Sequence, residues 1–586
     1  MKQRFVLFKI RYIKFMAIAL FTCICLIFTS TTLVAKSSDW VIRSNVSADL
    51  LSKAIAAQDC QKKLAVSTSL QEINPAFKTC RKKSILNAVQ ILEQKLDWVK
   101  NPQLRLDLEI LVQAGRQQLR AYELDEKYRL PYINLSQAIL DSLKNTVKET
   151  KSSSSKQQAI LTKLNQYAGL KSNQIALVTS VERAIETQLH SPEFVLPSPE
   201  QLKQNLNNNA SNISKILKFL RQQQVPNYQS VYAELKTQLF DYETFVRSQI
   251  LTKAKANSPL PAELYAFELK QQGIGIPATE LIQQARTVFT QVQRQMDEMA
   301  QEIAQQRGIK VSGYREMIQT LKQEQLSGPK TLELYQKRAE DIQAIIKREN
   351  IVTLPKNKFN IRLATPKEKN NFPVPLYDST SNTFVIPVFE KRKKAELYND
   401  FTNPAMSWTL TVHEGRPGHD LQFATIKNQN LSRARTDFAR NATSIEGWAT
   451  YTEAMMLPYL PLEGQFMSLQ FQLLRAARAF LEPELQLGKI TTADASKVLT
   501  TDAGFSRFFA QQEIKRYTTI FPGQAPAYFY GSQQLLQLRS QVEEMLGKEF
   551  TLKKFHDFVL SQGFLTPKLL KRAFLQQWGS FYSTNY

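Results

Sequence analysis

From Ser37 to about Asn350 the chain sets apolar residues every three or four positions in a background of Leu, Ala, Gln and Lys. A pattern of that period and length can bury its apolar atoms only by packing helix on helix. The clearest stretch is Pro277 to Arg307, where Leu281, Ala285, Val288, Val292, Met296, Met299 and Ile303 make one stripe. Pro277 suits the first turn there and Gly308 the exit. Lys151 to Lys156, with four serines, and the Asn-rich Asn205 to Asn212 read as loops between helices. No fixed repeat recurs, which disfavours a solenoid.

Near residue 352 the texture changes. Ile361 to Ala364, Val374 to Tyr377 and Thr383 to Phe389 are β-prone and punctuated by prolines, so a small sheet or ribbon is expected there. Pro387 cannot donate to a ladder and argues against a long strand. Helical texture returns from Phe401. The expected architecture is mostly α, a large two-lobed helical body with a small β segment before the motif helix. Its parts are a leader over 1–35, a helical region over 36–350 and a β-plus-helical region over 351–586.

Lys2, Arg4, Lys9, Arg11 and Lys14 precede the apolar run Phe15 to Phe28, followed by small and polar residues up to Ala35. This is the pattern of a secretory signal, placing the mature chain in the periplasm or outside the cell, with an uncleaved N-terminal anchor as the alternative. Neither Cys23 nor Cys25 follows a convincing lipobox. Of the four cysteines only Cys60 and Cys80 lie beyond the leader, and an even pair in an exported chain predicts a disulfide closing a helical hairpin. The formal charge is +24, and removing the leader's five lysines and arginines leaves +19. With no nucleic-acid motif in the chain, that excess points to peripheral contact with anionic membrane or envelope polymer, and no nucleic-acid partner is expected.

Only four histidines are present, and His413 and His419 share a seven-residue window with Glu414, Pro417 and Gly418. Two imidazoles and a glutamate from a later helix are a donor set for catalytic zinc, and an adjacent carboxylate can serve as general base. A regular helix turns about 600° in six residues, leaving the two imidazoles roughly 120° apart. The helix through Thr409 to Glu414 must therefore break at Gly415 to Gly418 if His419 is to face the same ion. Thr443 to Met456 reads as the next helix, capped by Thr443 or Ser444, with Glu446 as third ligand. Glu453, seven residues on and on the same face, is expected to support a ligand or lie at the surface, and Asp420 is a second candidate for support. Spacing alone leaves open a packing or capping pair of histidines.

Four ordered blocks carry a family resemblance. They are VHEGRPGHDLQ at Val412 to Gln422; Arg440 with Ser444 to Ala449, Tyr451 and Glu453; Glu513, Arg516-Tyr517 and Pro522 to Ala525 with Tyr528 and Gly531; and Phe555-His556-Asp557 with Gly563. Together they resemble the bacterial family known as domain of unknown function 885, similar to helical, gluzincin-like zinc peptidases, as one continuous domain over about 40–580. The resemblance implies one Zn2+ per chain on His413, His419 and Glu446, with Glu414 as base. It also implies Arg516, Tyr517, Tyr528 and His556 as groups that bind a substrate carboxylate or steady an oxyanion. Two positions depart from the family pattern: Asp420 stands where members carry a second histidine, and Phe529 where they often carry lysine. The expected function is that of an exported zinc-dependent hydrolase, a peptidase acting on short peptides. The alternative is an inactive envelope scaffold retaining the fold.

Overall fold

The computed structural model describes residues 38–64, 74–149, 152–170, 174–189, 194–256, 258–371, 374–389 and 400–579. The leader and Lys151 lie outside them. Helix dominates, at 74%, against one three-stranded sheet, which settles the mostly α class. The helices used below are α1 (Asp39–Ile55), α2 (Pro75–Trp98), α3 (Pro102–Tyr128), α4 (Pro199–Gln222), α5 (Ala278–Arg307) and α6 (Gly328–Arg348). They are followed by α7 (Met406–Glu414), α8 (His419–Asn428), α9 (Ala442–Met456) and α10 (Leu462–Gln486). The last are α11 (Arg507–Lys515), α12 (Pro526–Leu546), α13 (Leu552–Ser561) and α14 (Pro567–Trp578).

The Pro277 to Arg307 stripe is realised in α5, which starts directly after Pro277 and ends on Gly308 in the left-handed conformation. Its buried face is wider than the stripe, adding Ile282, Phe289 and Ala300, while Val288 and Met299 sit at its margin. This face packs against α10, a helix buried almost all round. Such burial fits a central element with neighbours on every side.

Two expected loops are helical. Asn205 to Asn212 lies inside α4, because Leu202, Leu206, Ile213 and Ile216 keep the helical period and buried asparagines find partners. Asn209 Nδ2 donates to Leu239 O (3.2 Å) and to Glu243 Oε2 (2.9 Å), which overrides the poor helix propensity of asparagine. In the serine run, Ser152 caps a helix over Ser153–Tyr167 by accepting the amide of Ser155. Serines placed there start a helix instead of separating two.

The sheet forms where the β-prone segments predicted it, with shorter strands: β1 (Asn360–Leu363), β2 (Leu376–Asp378) and β3 (Thr383–Ile386). The order is β1-β3-β2, with β1 parallel and β2 antiparallel to the fully buried β3. The last strand stops before Pro387, which lacks the amide the ladder needs. Cys60 and Cys80 are joined in a disulfide that ties helix Gln58–Leu64 to α2.

Buried apolar residues gather into three large clusters. One, from Leu130 to Ile250, has its own core. A second combines α5 and α10 with the sheet, and a third combines α1 to α3 with α6, α9, α12, α13 and α14. α7 contributes Met406 and Leu410 to the second and Val412 to the third, so the motif helix lies where those two cores meet. No helix among the described residues is long and apolar enough to cross a membrane.

Candidate metal centre

The break required between the two motif histidines is present. α7 ends at Glu414, the chain reverses through Gly415-Arg416-Pro417-Gly418, and α8 begins at His419. Gly418 makes the reversal possible: a Cβ there would lie 1.9 Å from the His413 carbonyl oxygen, far inside contact distance. The Gly418 amide donates to Val412 O (2.9 Å), and Trp448 Nε1 of α9 donates to Pro417 O (3.0 Å). The turn is thereby fastened to the helix that brings Glu446.

α9 starts one residue before the expected Thr443 or Ser444 cap. Asn441 is the N-cap, its side chain accepting the Ser444 amide (2.9 Å) and the Thr443 hydroxyl (2.5 Å). Asparagine is among the strongest N-caps and sits where one amide oxygen reaches both donors. α9 then crosses α12 at Gly447 and Gly531, where a Cβ on Gly447 would meet Gly531 Cα at 2.6 Å. This near contact of backbones carries Tyr528, one turn earlier on α12, to the histidines.

The result is a compact cluster. The His413 and His419 rings are 4.8 Å apart and nearly perpendicular. Glu446 Oε2 is 3.6 Å from His413 Nε2 and 3.3 Å from His419 Nε2, and one ligand atom from each residue lies within 4.8 Å of the others. In a tetrahedral zinc site with bonds of about 2.0–2.2 Å, neighbouring ligand atoms are about 3.4 Å apart. Glu446 Oε2 is buried and has no hydrogen-bond partner among the described residues. An orphan carboxylate oxygen between two imidazoles is an acceptor placed for a cation, and two histidines with one glutamate are a donor set zinc takes.

The charges of the cluster are strongly coupled. Burial disfavours charge on His413, but Glu446 and Glu453 outweigh it and hold its pKa up at about 9. Burial also opposes ionisation of Glu446, yet the two imidazoles pull its pKa well below the usual carboxylate range. Glu453 is buried, not at the surface: its Oε1 lies 2.7 Å from His413 Nδ1 and accepts from Arg475 Nη2 (2.9 Å). It therefore fixes the ring with Nε2 toward the cluster, the supporting role expected of it. Glu414 is buried beside His413, and its pKa is raised chiefly by burial.

Tyr528 stacks on His413, with ring centres 6.3 Å apart and planes 8° apart. Its hydroxyl accepts from Arg516 Nη2 (3.0 Å), and Arg516 also bonds Gln524 Oε1. The structure thus brings Tyr528 and Arg516 to the cluster's edge. Tyr517 points elsewhere, its hydroxyl donating to Glu513 (2.8 Å). His556 is not brought to the cluster: Nδ1 donates to Ile351 O (2.8 Å), Nε2 accepts from Tyr451 (2.7 Å), and burial lowers its pKa to about 4. Asp420 supports neither histidine. It accepts from Arg416 Nε (2.7 Å) and from Tyr377 (3.1 Å), whose ring stacks on His419. Phe529, at the other departure from the family pattern, is buried in the core.

Sequence reasoning missed Arg475 and Arg478, which line the Tyr528 ring at 4.7 and 4.4 Å from its centre. Arg478 forms a forked pair with Glu513 (2.6 and 2.9 Å), holding that carboxylate down at about 2 against the cost of burial. The signal was two arginines three apart in the otherwise apolar run Leu473 to Leu481, since charges inside a buried helix need partners.

A family model described as bacterial protein of unknown function (DUF885) matches residues 60–574. No curated protein matches the chain. Among solved structures, it is similar to a protein from Shewanella oneidensis provisionally described as a lipoprotein of unknown function, with a TM-score of 0.66 at 17% identity over 92% of this chain and 100% of that one. A protein from Colwellia psychrerythraea, also provisionally described as a lipoprotein, gives a TM-score of 0.63 at 17% identity over 92% and 99%. Likeness at this identity shows the fold.

Proposed function

Taking as premise that the chain belongs to the DUF885 family, we propose that it is an exported, envelope-associated zinc-dependent hydrolase, a peptidase acting on short peptides. One observation carries the reading: His413 Nε2 and His419 Nε2 lie 3.6 and 3.3 Å from the orphan Glu446 oxygen, close to the edge of a zinc tetrahedron, and Glu414 lies next to them. The basic, apolar leader and the lipoprotein descriptions of the structural relatives support the location.

His413, His419 and Glu446 would hold the ion, which when bound acidifies a water and polarises a substrate carbonyl. Glu414 takes the proton of the attacking water and returns it to the leaving amine, and its raised pKa suits both halves of that task. Because the Tyr528 oxygen accepts from Arg516, its own proton is free to be donated to a developing oxyanion. Arg475 and Glu453 hold His413 in register.

The test is metal content of the purified mature protein followed by a peptide-library screen, with Glu414→Gln as control. The expected result is about one zinc per chain, retained in Glu414→Gln, with cleavage lost only in that variant. Metal absent after zinc addition would overturn the reading in favour of a scaffold.

A further inference from the structure

A cleft of about 640 Å3 opens where α3, α12, the first turn of α14 and the segments around Gly273 and Arg440 meet. None of His413, His419 or Glu446 lines it. Lys270, Arg440, Lys568, Lys571 and Arg572 do, and no lining residue is aspartate or glutamate. Arg572 is engaged by Glu109 (2.7 Å). Among the described residues the other four have no carboxylate partner, Arg440 lying instead over the rings of Phe423 and Phe564. Other cationic groups on this chain are closed by salt-bridged acids, as at Arg120, Arg129 and Arg433. An uncompensated set of cations turned into one concavity is a local positive potential that attracts an anion.

The rest of the lining narrows the ligand. Glutamines share the lining with the cations, among them Gln113 of α3 and Gln534 and Gln537 of α12, and these amides form no hydrogen bond among the described residues. Free amides beside free cations suit a ligand bearing both hydroxyl groups and anionic groups. The aromatic residues of the lining are not presented as stacking faces: Tyr530 is buried and Phe438 half-buried. That disfavours single-stranded nucleic acid, which is held by stacking. Concavity without exposed apolar residues disfavours a flat bilayer.

We propose that this cleft binds a strand of anionic glycan, its lysines and arginines taking carboxylate or phosphate groups and its glutamines the sugar hydroxyls. The site is independent of the metal centre and gives the chain's positive charge a defined place of contact with envelope polymer.

The test uses the mature protein in calorimetric titrations at low ionic strength. The probes are oligogalacturonate, a sugar-phosphate polymer, neutral maltohexaose and inorganic polyphosphate. Lys568 and Lys571 are exposed and unpaired, so Lys568→Gln/Lys571→Gln keeps the fold, verified by an unchanged melting temperature. Lys215→Gln/Lys218→Gln on α4 removes the same charge elsewhere. The expected result is binding of one or both charged glycans, carboxylate or phosphate being identified by which one, weakened roughly tenfold in the cleft variant and unchanged in the control. Gln534→Ala/Gln537→Ala would weaken glycan binding while sparing polyphosphate. No glycan binding, equal loss in both lysine variants, or polyphosphate bound as tightly as the glycans would each overturn the proposal. Anionic vesicles bound through Lys568 and Lys571 in the absence of glycan binding would overturn it in favour of lipid.

Discussion

His413 and His556 are both buried on helices packed around the same core, 3% and 0% exposed, and their environments are opposite. Two carboxylates face His413 and hold its pKa at about 9 against burial, whereas a carbonyl and a tyrosine hydroxyl face His556 and burial takes it down to about 4. The Ile351 carbonyl can only accept, so it fixes the proton on His556 Nδ1 and leaves Nε2 to accept from Tyr451. Every polar atom of that ring is used. At His413 one nitrogen is oriented by Glu453 while the other turns toward an oxygen with no hydrogen-bond partner among the described residues. Burial does not separate a structural histidine from a candidate ligand; the unfinished hydrogen-bond account of its neighbours does.

The sharpest way to break this contrast is at the candidate ligands. His413→Ala and Glu446→Ala should each abolish bound zinc as read by elemental analysis, while His556→Gln should leave it unchanged; loss of metal in His556→Gln alone would reverse the two roles. Next in size is the turn that separates His419 from His413. Gly418→Ala should cost roughly 3–5 kcal/mol in chemical denaturation, because its Cβ would overlap the His413 carbonyl, and any folded fraction should bind zinc poorly.

A third measurement sharpens the His556 side. The unfolded chain takes up this proton near 6.5 and the folded chain only near 4, so acidification through that window favours unfolding. The contribution is complete above 6.5 and lost as pH falls through 4, about 3 kcal/mol in all at 1.36 kcal/mol per unit. Denaturation curves across this window should show wild type losing stability with a steeper slope than His556→Gln, and parallel slopes would refute the assignment. The smallest expected effect is at the supporting carboxylate. Glu453→Gln should weaken zinc roughly 10- to 100-fold without eliminating it, as read by chelator competition.

Much of this was legible beforehand, for identifiable reasons. The α5 stripe, the Cys60–Cys80 pair and the break at Gly415 to Gly418 rest on local rules of period, pairing and backbone freedom, and each is found. The α4 asparagines were misread because their partners, Leu239 O and Glu243, lie some thirty residues away. The α9 cap was placed late because a hydroxyl and an amide oxygen a few residues apart are equally good caps until the entering chain direction is known. His556 was grouped with the site because its block resembled the others in sequence, and sequence does not reveal that Ile351, 205 positions earlier, supplies the acceptor.

The sequence by itself determined the helical class, the place of the small sheet and the candidate donors His413, His419 and Glu446, since helical period, proline and residue chemistry act over a few bonds. Tertiary structure alone decided that those donors converge, that Arg475 and Arg478 surround Tyr528, and that His556 pins the core. The physical reason is that convergence depends on contacts between parts far apart in the chain: Trp448 of α9 fastens the turn between His413 and His419 through Pro417 O, 31 positions away. Tyr528 reaches His413 only because Gly447 and Gly531, 84 residues apart, lack the side chains that would keep the α9 and α12 backbones from touching.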